Sequence, residues 1–350
     1  MQEFAATISQ NQRNLLIGFF TTLVLYYLVM DSILYNTLQS VDLVNEKKIP
    51  GEPWSPFHPL SVKLIMTDHT NHYILTPISE RFDEITKFSK TFYFITPNMI
   101  TLTHLALSFV AAKFIFSESL QSRRIGVLIF QLKILLDAFD GTVFRSRAAN
   151  KQYKSHHSNF GFWMDSTCDT IGAAALSFSV LFWLWWKCPP GVDSPPTSAT
   201  SLPWSSKDNN PDEAKLNLVT EMPTNRQSVV YSKQFIFFRC LCFGLQMGLS
   251  SAIWDQTTMQ YEKVFMAKLA DNDLAVLQST YLHSTTTWLI FWCWRVIEGQ
   301  SLQQIYLCAI FIDKIWAFLR CIQYLGLLAI ILLTGFSFYH VTEIKQALHL

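Results

Sequence analysis

The sequence predicts an all-α polytopic membrane protein, and two observations support this fold class. Half of the 350 residues are hydrophobic and only 15% are charged, whereas about a quarter of the residues of an average soluble protein are charged. Five windows contain no Asp, Glu, Lys or Arg, and each is long enough to cross a bilayer as a helix. These windows are 14–30, 91–112, 170–186, 274–294 and 321–342.

Two further apolar runs, 125–144 and 234–254, contain isolated charges and bring the total to about seven spans. The first span follows 13 residues and has no small-residue cleavage site, so we interpret 1–36 as an uncleaved N-terminal transmembrane anchor. Residues 301–320 fit either a separate short span or the start of the last helix.

The parts of the chain between the spans differ in character. Residues 37–97 are polar and rich in proline at first, and we expect them to be extramembrane. Their second half places Ile78, Phe82, Ile85 and Phe88 at helical spacing among charged residues, which predicts an amphipathic helix on the membrane surface. Residues 98–340 form the membrane domain, 188–232 within it a flexible loop rich in Pro and Ser, and 341–350 a tail.

Four acids lie where apolar runs end or begin. Asp137 and Asp140 are three residues apart, and Asp165 and Asp169 are four apart, so each pair shares one face of a helix. The segment 145–160 that connects them is short and polar, which predicts antiparallel helices. Both pairs would then face each other at one membrane surface.

Such a cluster needs compensating charge. An acid at the centre of a membrane helix costs about 2.5–3.5 kcal/mol on insertion scales, and like charges also repel one another. Two divalent cations, Mn²⁺ or Mg²⁺, would remove both penalties because carboxylate oxygens suit them. Gly141 and Gly161 leave room for a ligand beside the backbone, and Arg145 is suited to phosphate. The pattern indicates a site for a diphosphate substrate and an apolar acceptor.

Several of these residues have competing interpretations. Lys133 lies four residues before Asp137 and could pair with it, as basic residues do in structural ion pairs inside bundles. Arg147 fits a solvated loop charge better than a ligand. The same holds for a larger set in the connecting loop, namely Lys151, Lys154, His156 and His157.

The order D-x-x-D-G-x-x-x-R…G-x-x-x-D-x-x-x-D resembles the signature of the CDP-alcohol phosphotransferase family. Upstream, "PNMIT" is similar to the opening of that family's first core helix. Two positions depart from the family pattern: Phe144 stands where Ala is usual, and fifteen residues separate Arg145 from Gly161 instead of about eight. Neither departure moves the acids.

The resemblance implies a six-helix core, to which the N-terminal anchor would be an addition. It also implies that Asp137, Asp140, Asp165 and Asp169 bind two metal ions and that Asp169 acts as the catalytic base. The residues that would hold the CDP moiety are Asn98, Thr101, Gly141, Arg145 and Gly161.

Within the family, the divergent spacing and the added anchor are most similar to the insect-type ceramide phosphoethanolamine synthases. That similarity implies CDP-ethanolamine as donor, ceramide as acceptor, Mn²⁺ as the preferred metal, and a Golgi membrane with a lumen-facing site. The wider family resemblance suggests a homodimer. The endoplasmic reticulum is the alternative location. A net charge of +1 argues against a nucleic-acid partner.

Charge asymmetry agrees with a lumenal site. When the predicted spans are counted along the chain, a group of basic residues falls on the side of the membrane opposite the acids. The positive-inside rule predicts that this opposite side is cytosolic. These residues are Arg13, Arg123, Arg124, Lys187 and Arg295.

Three other functions fit parts of the pattern. A choline or ethanolamine phosphotransferase acting on diacylglycerol would need the same acids. An intramembrane prenyltransferase also uses paired acidic motifs, but these fall in separate halves of the chain. A cation transporter would distribute acids over several helices and repeated halves, which the sequence does not show.

Overall fold

A computed structural model describes residues 2–44, 57, 60–147, 160–186 and 232–350. The described residues form twelve α-helices and one π-helical turn, with no strand among them. The helices are α1 (Gln2–Leu38), α2 (Val62–Met66), α3 (Thr76–Thr86), α4 (Phe88–Thr91), α5 (Pro97–Ile115), α6 (Leu120–Arg147), α7 (Phe160–Trp186), α8 (Lys233–Phe265), α9 (Asn272–Leu282), α10 (Thr285–Ile297), α11 (Gly299–Phe311) and α12 (Ile315–Ala347), and the π-helical turn is Asn71–Leu75.

Five described helices are long and apolar enough to cross a membrane, which confirms the all-α polytopic fold class. Their candidate spans are Asn14–Leu38, Pro97–Ile115, Phe160–Trp186, Lys233–Phe265 and Ile315–Ala347. Helix α6 has 28 residues and is also long enough, but it contains the charges of Lys133, Asp137 and Asp140. The six-helix core remains a prediction.

The predicted span 274–294 is wrong as a single helix. The chain breaks after His283, because Ser284 adopts an extended conformation and its side chain accepts a hydrogen bond from the Thr287 amide. This N-cap starts α10 as a new helix. The hydrophobic run is therefore shared between α9 and α10, and apolar composition alone did not reveal the cap.

Residues 301–320 were expected to form either a separate short span or the start of the last helix. In the structure they are divided between α11 and α12. Helix α11 has 13 residues and is about 20 Å long, shorter than the roughly 30 Å of a bilayer core. It ends before Asp313, whose φ of 59° lies in the left-handed region. Helix α12 then begins at Ile315 and continues without a break into the predicted tail as far as Ala347. Ile344 in its last turn and Leu348 just after it are buried.

Helices α5, α6 and α7 pack closely because two glycines remove side chains from their interfaces. A Cβ atom at Gly126 of α6 would lie 2.7 Å from Ile115 Cγ1 of α5. A Cβ atom at Gly172 of α7 would lie 2.7 Å from Ser108 Oγ of α5. Both distances are shorter than any ordinary carbon contact. Helix α5 is thus held against both helices that carry the acids.

Helix α1, the predicted N-terminal anchor, packs against the other helices at its C-terminal end. Most apolar side chains in the first part of the α1 span are exposed, as expected for contact with lipid, whereas Leu34 and Leu38 are fully buried. Residues 60–75, predicted as extramembrane, pack against the same core through Val62 and Ile65. Of the predicted flexible loop 188–232, residues 188–231 lie outside the described residues. Its last residue, Ser232, caps the start of α8.

A buried acid joins α1 to the bundle. Asp31 accepts hydrogen bonds from the Tyr73 hydroxyl at 2.6 Å and from Trp292 Nε1 at 2.8 Å. His69 Nε2 lies 2.8 Å from the same carboxylate, and Arg295 Nη2 lies 3.4 Å from it. Arg295 is fully buried, so Asp31 supplies its acidic partner.

Helix α3 is the predicted amphipathic helix, and its Ile78, Phe82 and Ile85 side chains are exposed. Helix α3 ends before Lys87, whose φ of 52° lies in the left-handed region. The predicted fourth apolar residue, Phe88, therefore belongs to α4. Its ring packs against Phe139, with the two ring centroids 5.1 Å apart. The contact of α3 with a bilayer surface remains a prediction.

Asp83 fastens α3 to the end of α6. Its carboxylate accepts hydrogen bonds from Ser89 and from the Ser146 hydroxyl, each at 2.7 Å. Burial alone would raise the pKa of Asp83, but these hydrogen bonds outweigh burial and lower the pKa below its ordinary value. The lowered pKa means that this anchoring stabilises the fold above the ordinary carboxyl pKa and is lost as the pH falls through the lowered value.

We predict that Asp31→Ala destabilises the protein by about 3 kcal/mol, because removing one partner leaves the Arg295 charge buried without its acid. Thermal unfolding in detergent micelles, followed by tryptophan fluorescence, measures the change. Ser32→Ala is the matched control, since Ser32 is exposed and donates only to the Leu28 carbonyl of its own helix. Equal midpoints for the two variants would contradict the assigned role of Asp31.

Candidate metal centre

The two acidic pairs lie in one cluster. Helix α6 contributes Asp137 and Asp140, and α7 contributes Asp165 and Asp169. Four potential ligand atoms lie within 4.8 Å of one another. They are one ring nitrogen of His104 and one carboxylate oxygen each of Asp137, Asp165 and Asp169. The structure therefore brings together acids from both predicted motifs.

Asp140 is the most deeply buried of the four acids, and α5 fixes its position. The Thr101 hydroxyl donates a hydrogen bond to Asp140 Oδ2 at 2.7 Å. The same oxygen lies 3.5 Å from His104 Nε2. Thr101, which the family resemblance places among the CDP contacts, thus orients a carboxylate of the cluster.

His104 is the site residue that the sequence reasoning missed. Its side chain is fully buried, and Nε2 lies 3.8 Å from both Asp137 Oδ1 and Asp165 Oδ1. A signal was present, because His104 follows Thr101 by three residues and so shares its helix face. The family resemblance had placed Thr101 of this face at the site, but only the packing of α5 against α6 and α7 shows that His104 meets the acids.

Lys133 is buried and pairs directly with Asp169 Oδ1. Its ammonium group also lies 3.9 Å from Asp137 Oδ2. The competing ion-pair interpretation of Lys133 is therefore realised, although its nearer partner is on the neighbouring helix. One lysine cannot offset four carboxylates, so the cluster retains excess negative charge.

Arg145 lies at the edge of the cluster. Its Nη2 donates to Thr142 Oγ1 at 3.2 Å and lies 3.7 Å from a carboxylate oxygen of Glu80 in α3. A Cβ atom at Gly141 would lie 3.1 Å from Arg145 Nη1. The guanidinium group therefore folds back over Gly141, next to Asp140.

Asn98 and Gly161 are neighbours at the same end of the bundle. A Cβ atom at Gly161 would lie 3.6 Å from Asn98 Oδ1. Thr96 caps the start of α5 by accepting a hydrogen bond from the Met99 amide, and Phe160 begins α7. The five predicted CDP contacts thus lie on helices that meet around the acids, and their role in binding remains a prediction.

Arg147 does not behave as the solvated loop charge that was predicted. Its guanidinium donates to the backbone carbonyls of Ser89, Phe92 and Ile95, at 3.1, 3.1 and 2.9 Å. These bonds fix the segment that leads into α5 just before Asn98. The other basic residues considered in this loop, Lys151, Lys154, His156 and His157, lie outside the described residues.

The donor set fits a divalent cation. Asp165 Oδ1 and both ring nitrogens of His104 are buried and form no hydrogen bond with any described residue. Buried polar atoms normally have partners, and a missing ion is one of the usual reasons when they do not. Carboxylate oxygens are ligands that Mg²⁺ and Mn²⁺ accept.

The fold and the site together define a membrane enzyme of the CDP-alcohol phosphotransferase type. The chain belongs to the ceramide phosphoethanolamine synthase family, whose model matches residues 52–349. It is 30% identical over 292 residues to the ceramide phosphoethanolamine synthase of Drosophila melanogaster, covering 83% of this chain and 70% of that protein. No solved structure gives a significant match. The resemblance stated from the sequence is confirmed.

We predict that Thr101→Val weakens metal binding by about 10- to 100-fold, because residues that hold a ligating carboxylate typically have effects of this size. The Mn²⁺ concentration that gives half-maximal activity measures the effect. Thr103→Val is the control, since Thr103 is exposed on the same helix and donates only to the Met99 carbonyl. A similar Mn²⁺ requirement in both variants would show that Thr101 does not position Asp140.

Proposed function

We propose that this protein transfers phosphoethanolamine from CDP-ethanolamine to ceramide, forming ceramide phosphoethanolamine and releasing CMP. The observation that carries the proposal is the convergence of Asp137, Asp165 and Asp169 in one partly buried cluster around His104, which also lies 3.5 Å from Asp140. The printed name of the Drosophila relative, ceramide phosphoethanolamine synthase, supports the product and the acceptor.

We propose that Asp137, Asp140, Asp165 and Asp169 hold two divalent cations, Mn²⁺ or alternatively Mg²⁺. When bound, these ions neutralise the diphosphate and stabilise the charge on its leaving oxygen. The excess of carboxylates over basic groups in the cluster supports this assignment. Asn98, Thr101, Gly141, Arg145 and Gly161 surround the place for the CDP moiety in this proposal.

In this proposal, a residue of the chain accepts the proton that the ceramide hydroxyl loses. The ceramide hydroxyl gives its proton to Asp169 as its oxygen attacks the phosphorus that carries ethanolamine. The bond from that phosphorus to the bridging oxygen breaks, and CMP leaves with the bonding electrons. Lys133 pairs with Oδ1 of Asp169, which orients the carboxylate and leaves Oδ2 as the acceptor of the proton.

We further propose a homodimer in the Golgi membrane with a lumen-facing site, the endoplasmic reticulum being the alternative. The catalytic membrane domain would be 98–340. Arg124 at the start of α6, at the opposite end from the acids, supports this orientation. Arg123 and Arg295 do not contribute to it, because each is buried and ion-paired, with Asp313 and Asp31 respectively.

A substrate panel tests the proposed function. The purified protein receives CDP-ethanolamine or CDP-choline together with labelled ceramide or diacylglycerol, and the lipid products are identified by mass spectrometry. We expect ceramide phosphoethanolamine as the main product. Product from diacylglycerol alone would instead support the choline or ethanolamine phosphotransferase. Metal binding without any release of CMP would support a transporter.

We predict that Asp169→Asn lowers turnover by at least about 100-fold, because a general base contributes about 10²–10⁴ in rate. Affinity for CDP-ethanolamine should persist in part, which equilibrium dialysis measures. Asp273→Asn provides the control, since it makes the same chemical change at an exposed position of α9. Near-normal turnover of Asp169→Asn would rule out its role as base.

The orientation has its own test. In a Cys188→Ser background, Lys151→Cys and Lys207→Cys place thiols on the two sides that the span count separates. In sealed Golgi vesicles, a membrane-impermeant maleimide should label Lys207→Cys directly and Lys151→Cys only after permeabilisation. The reverse order of labelling would place the acids on the cytosolic side.

A further inference from the structure

We propose that His104 is a nitrogen ligand of one of the divalent cations, so that the metal site is built from α5 as well as α6 and α7. This inference rests on the proposed function, because it concerns the same site. It adds a residue that the acidic motif does not contain.

The first support is the state of the imidazole ring. His104 is fully buried in the middle of a helix, at the point where α5 faces both acidic helices. Neither ring nitrogen forms a hydrogen bond with a described residue. A buried polar group without a partner is costly, by about 1–3 kcal/mol. A bound cation would supply the missing partner of Nε2.

The second support is spacing. His104 Nε2 lies 3.5 Å from Asp140, 3.8 Å from Asp137 and 3.8 Å from Asp165. Adjacent ligands at right angles around an ion with bonds of about 2.1 Å are roughly 3.0 Å apart, and opposite ligands are about 4.2 Å apart. The observed separations fall between these values. His104, Asp137 and Asp165, whose ligand atoms lie within 4.8 Å of one another, are therefore spaced closely enough to share one ion after a small shift of side chains.

The three acids lie within ion-pair distance of His104, but the same distances are too long for direct charge-assisted hydrogen bonds. An imidazolium that neutralised the acids directly would form charge-assisted hydrogen bonds of about 2.7–2.9 Å. Each of the three separations is longer by more than half an ångström. Moreover, Asp140 Oδ2, the oxygen nearest to His104, already accepts the Thr101 hydroxyl. His104 thus lies within ion-pair distance of three acids without forming a hydrogen bond to any of them.

A nitrogen ligand has a consequence for the choice of metal. Sites for Mg²⁺ in proteins are built from oxygen atoms, and imidazole is a softer ligand. His104 would therefore bias the site against Mg²⁺. Replacing its ring by an amide, whose oxygen can take the same place, should shift the preference back toward Mg²⁺.

Electron spin-echo envelope modulation of the Mn²⁺-loaded full-length protein tests the inference directly. This measurement detects a ¹⁴N nucleus bonded to Mn²⁺, independently of turnover. We expect a ¹⁴N imidazole signal in the unmodified protein, its replacement when histidine is labelled with ¹⁵N, and its loss in His104→Gln. The ratio of Mg²⁺- to Mn²⁺-supported CMP release should also rise in His104→Gln, by about tenfold.

The double variant His156→Gln/His157→Gln is the control, because these residues lie in the sequence between the acidic pairs but outside the described structure. The signal should persist in it. If His104→Gln fails to fold, persistence in this double variant still supports His104, the histidine that the described structure places among the acids.

Two results would overturn the inference while leaving the proposed function intact. One is normal turnover with bound Mn²⁺ and no ¹⁴N signal in the unmodified protein. The other is loss of the signal in the double variant together with its persistence in His104→Gln. Absence of both Mn²⁺ binding and CMP release would instead refute the proposed function itself.

Discussion

The structure depends on one electrostatic constraint, the confinement of four carboxylates between two neighbouring membrane helices. Like charges at this distance in a poorly polar environment repel strongly unless other groups compensate for them. Lys133 offsets one acid, and Thr101 donates a hydrogen bond to another. The close packing of α5 at Gly126 and Gly172 keeps these compensating groups in place. The remaining negative charge is what makes the cluster suitable for divalent cations.

Family membership and local geometry support each other from different directions. The family model covers most of the chain, but it says nothing about which atoms meet. The structure shows that the acidic motif, the arginine at its edge and the start of α5 converge at one end of the bundle. A second hydrophobic core lies apart from the acidic cluster. It is formed in part by α1, α8, α10 and the π-helical turn, next to the buried Asp31.

The features that sequence reasoning predicted well are local ones. The pairing of Asp137 with Asp140 and of Asp165 with Asp169 follows from helical periodicity alone, and the apolar runs follow from composition. The features it missed depend on packing between distant segments. The position of His104 requires knowledge of how α5 lies against α6 and α7, and the pairing of Lys133 with Asp169 requires knowledge of how α6 lies against α7. The carbonyl contacts of Arg147 depend on how the end of α6 meets the segment before α5. The break before Ser284 was missed because a capping side chain overrides an apolar run.

The three carbonyl contacts of Arg147 join the end of α6 to the segment that leads into α5. Ser146, one residue earlier, is bonded to Asp83 of α3, so the end of α6 is connected to both segments. A tilt of α3 would therefore be transmitted to Asn98 and its surroundings. The orientation of α3 and the shape of the entrance to the acidic cluster are thus mechanically coupled, without a dedicated regulatory domain.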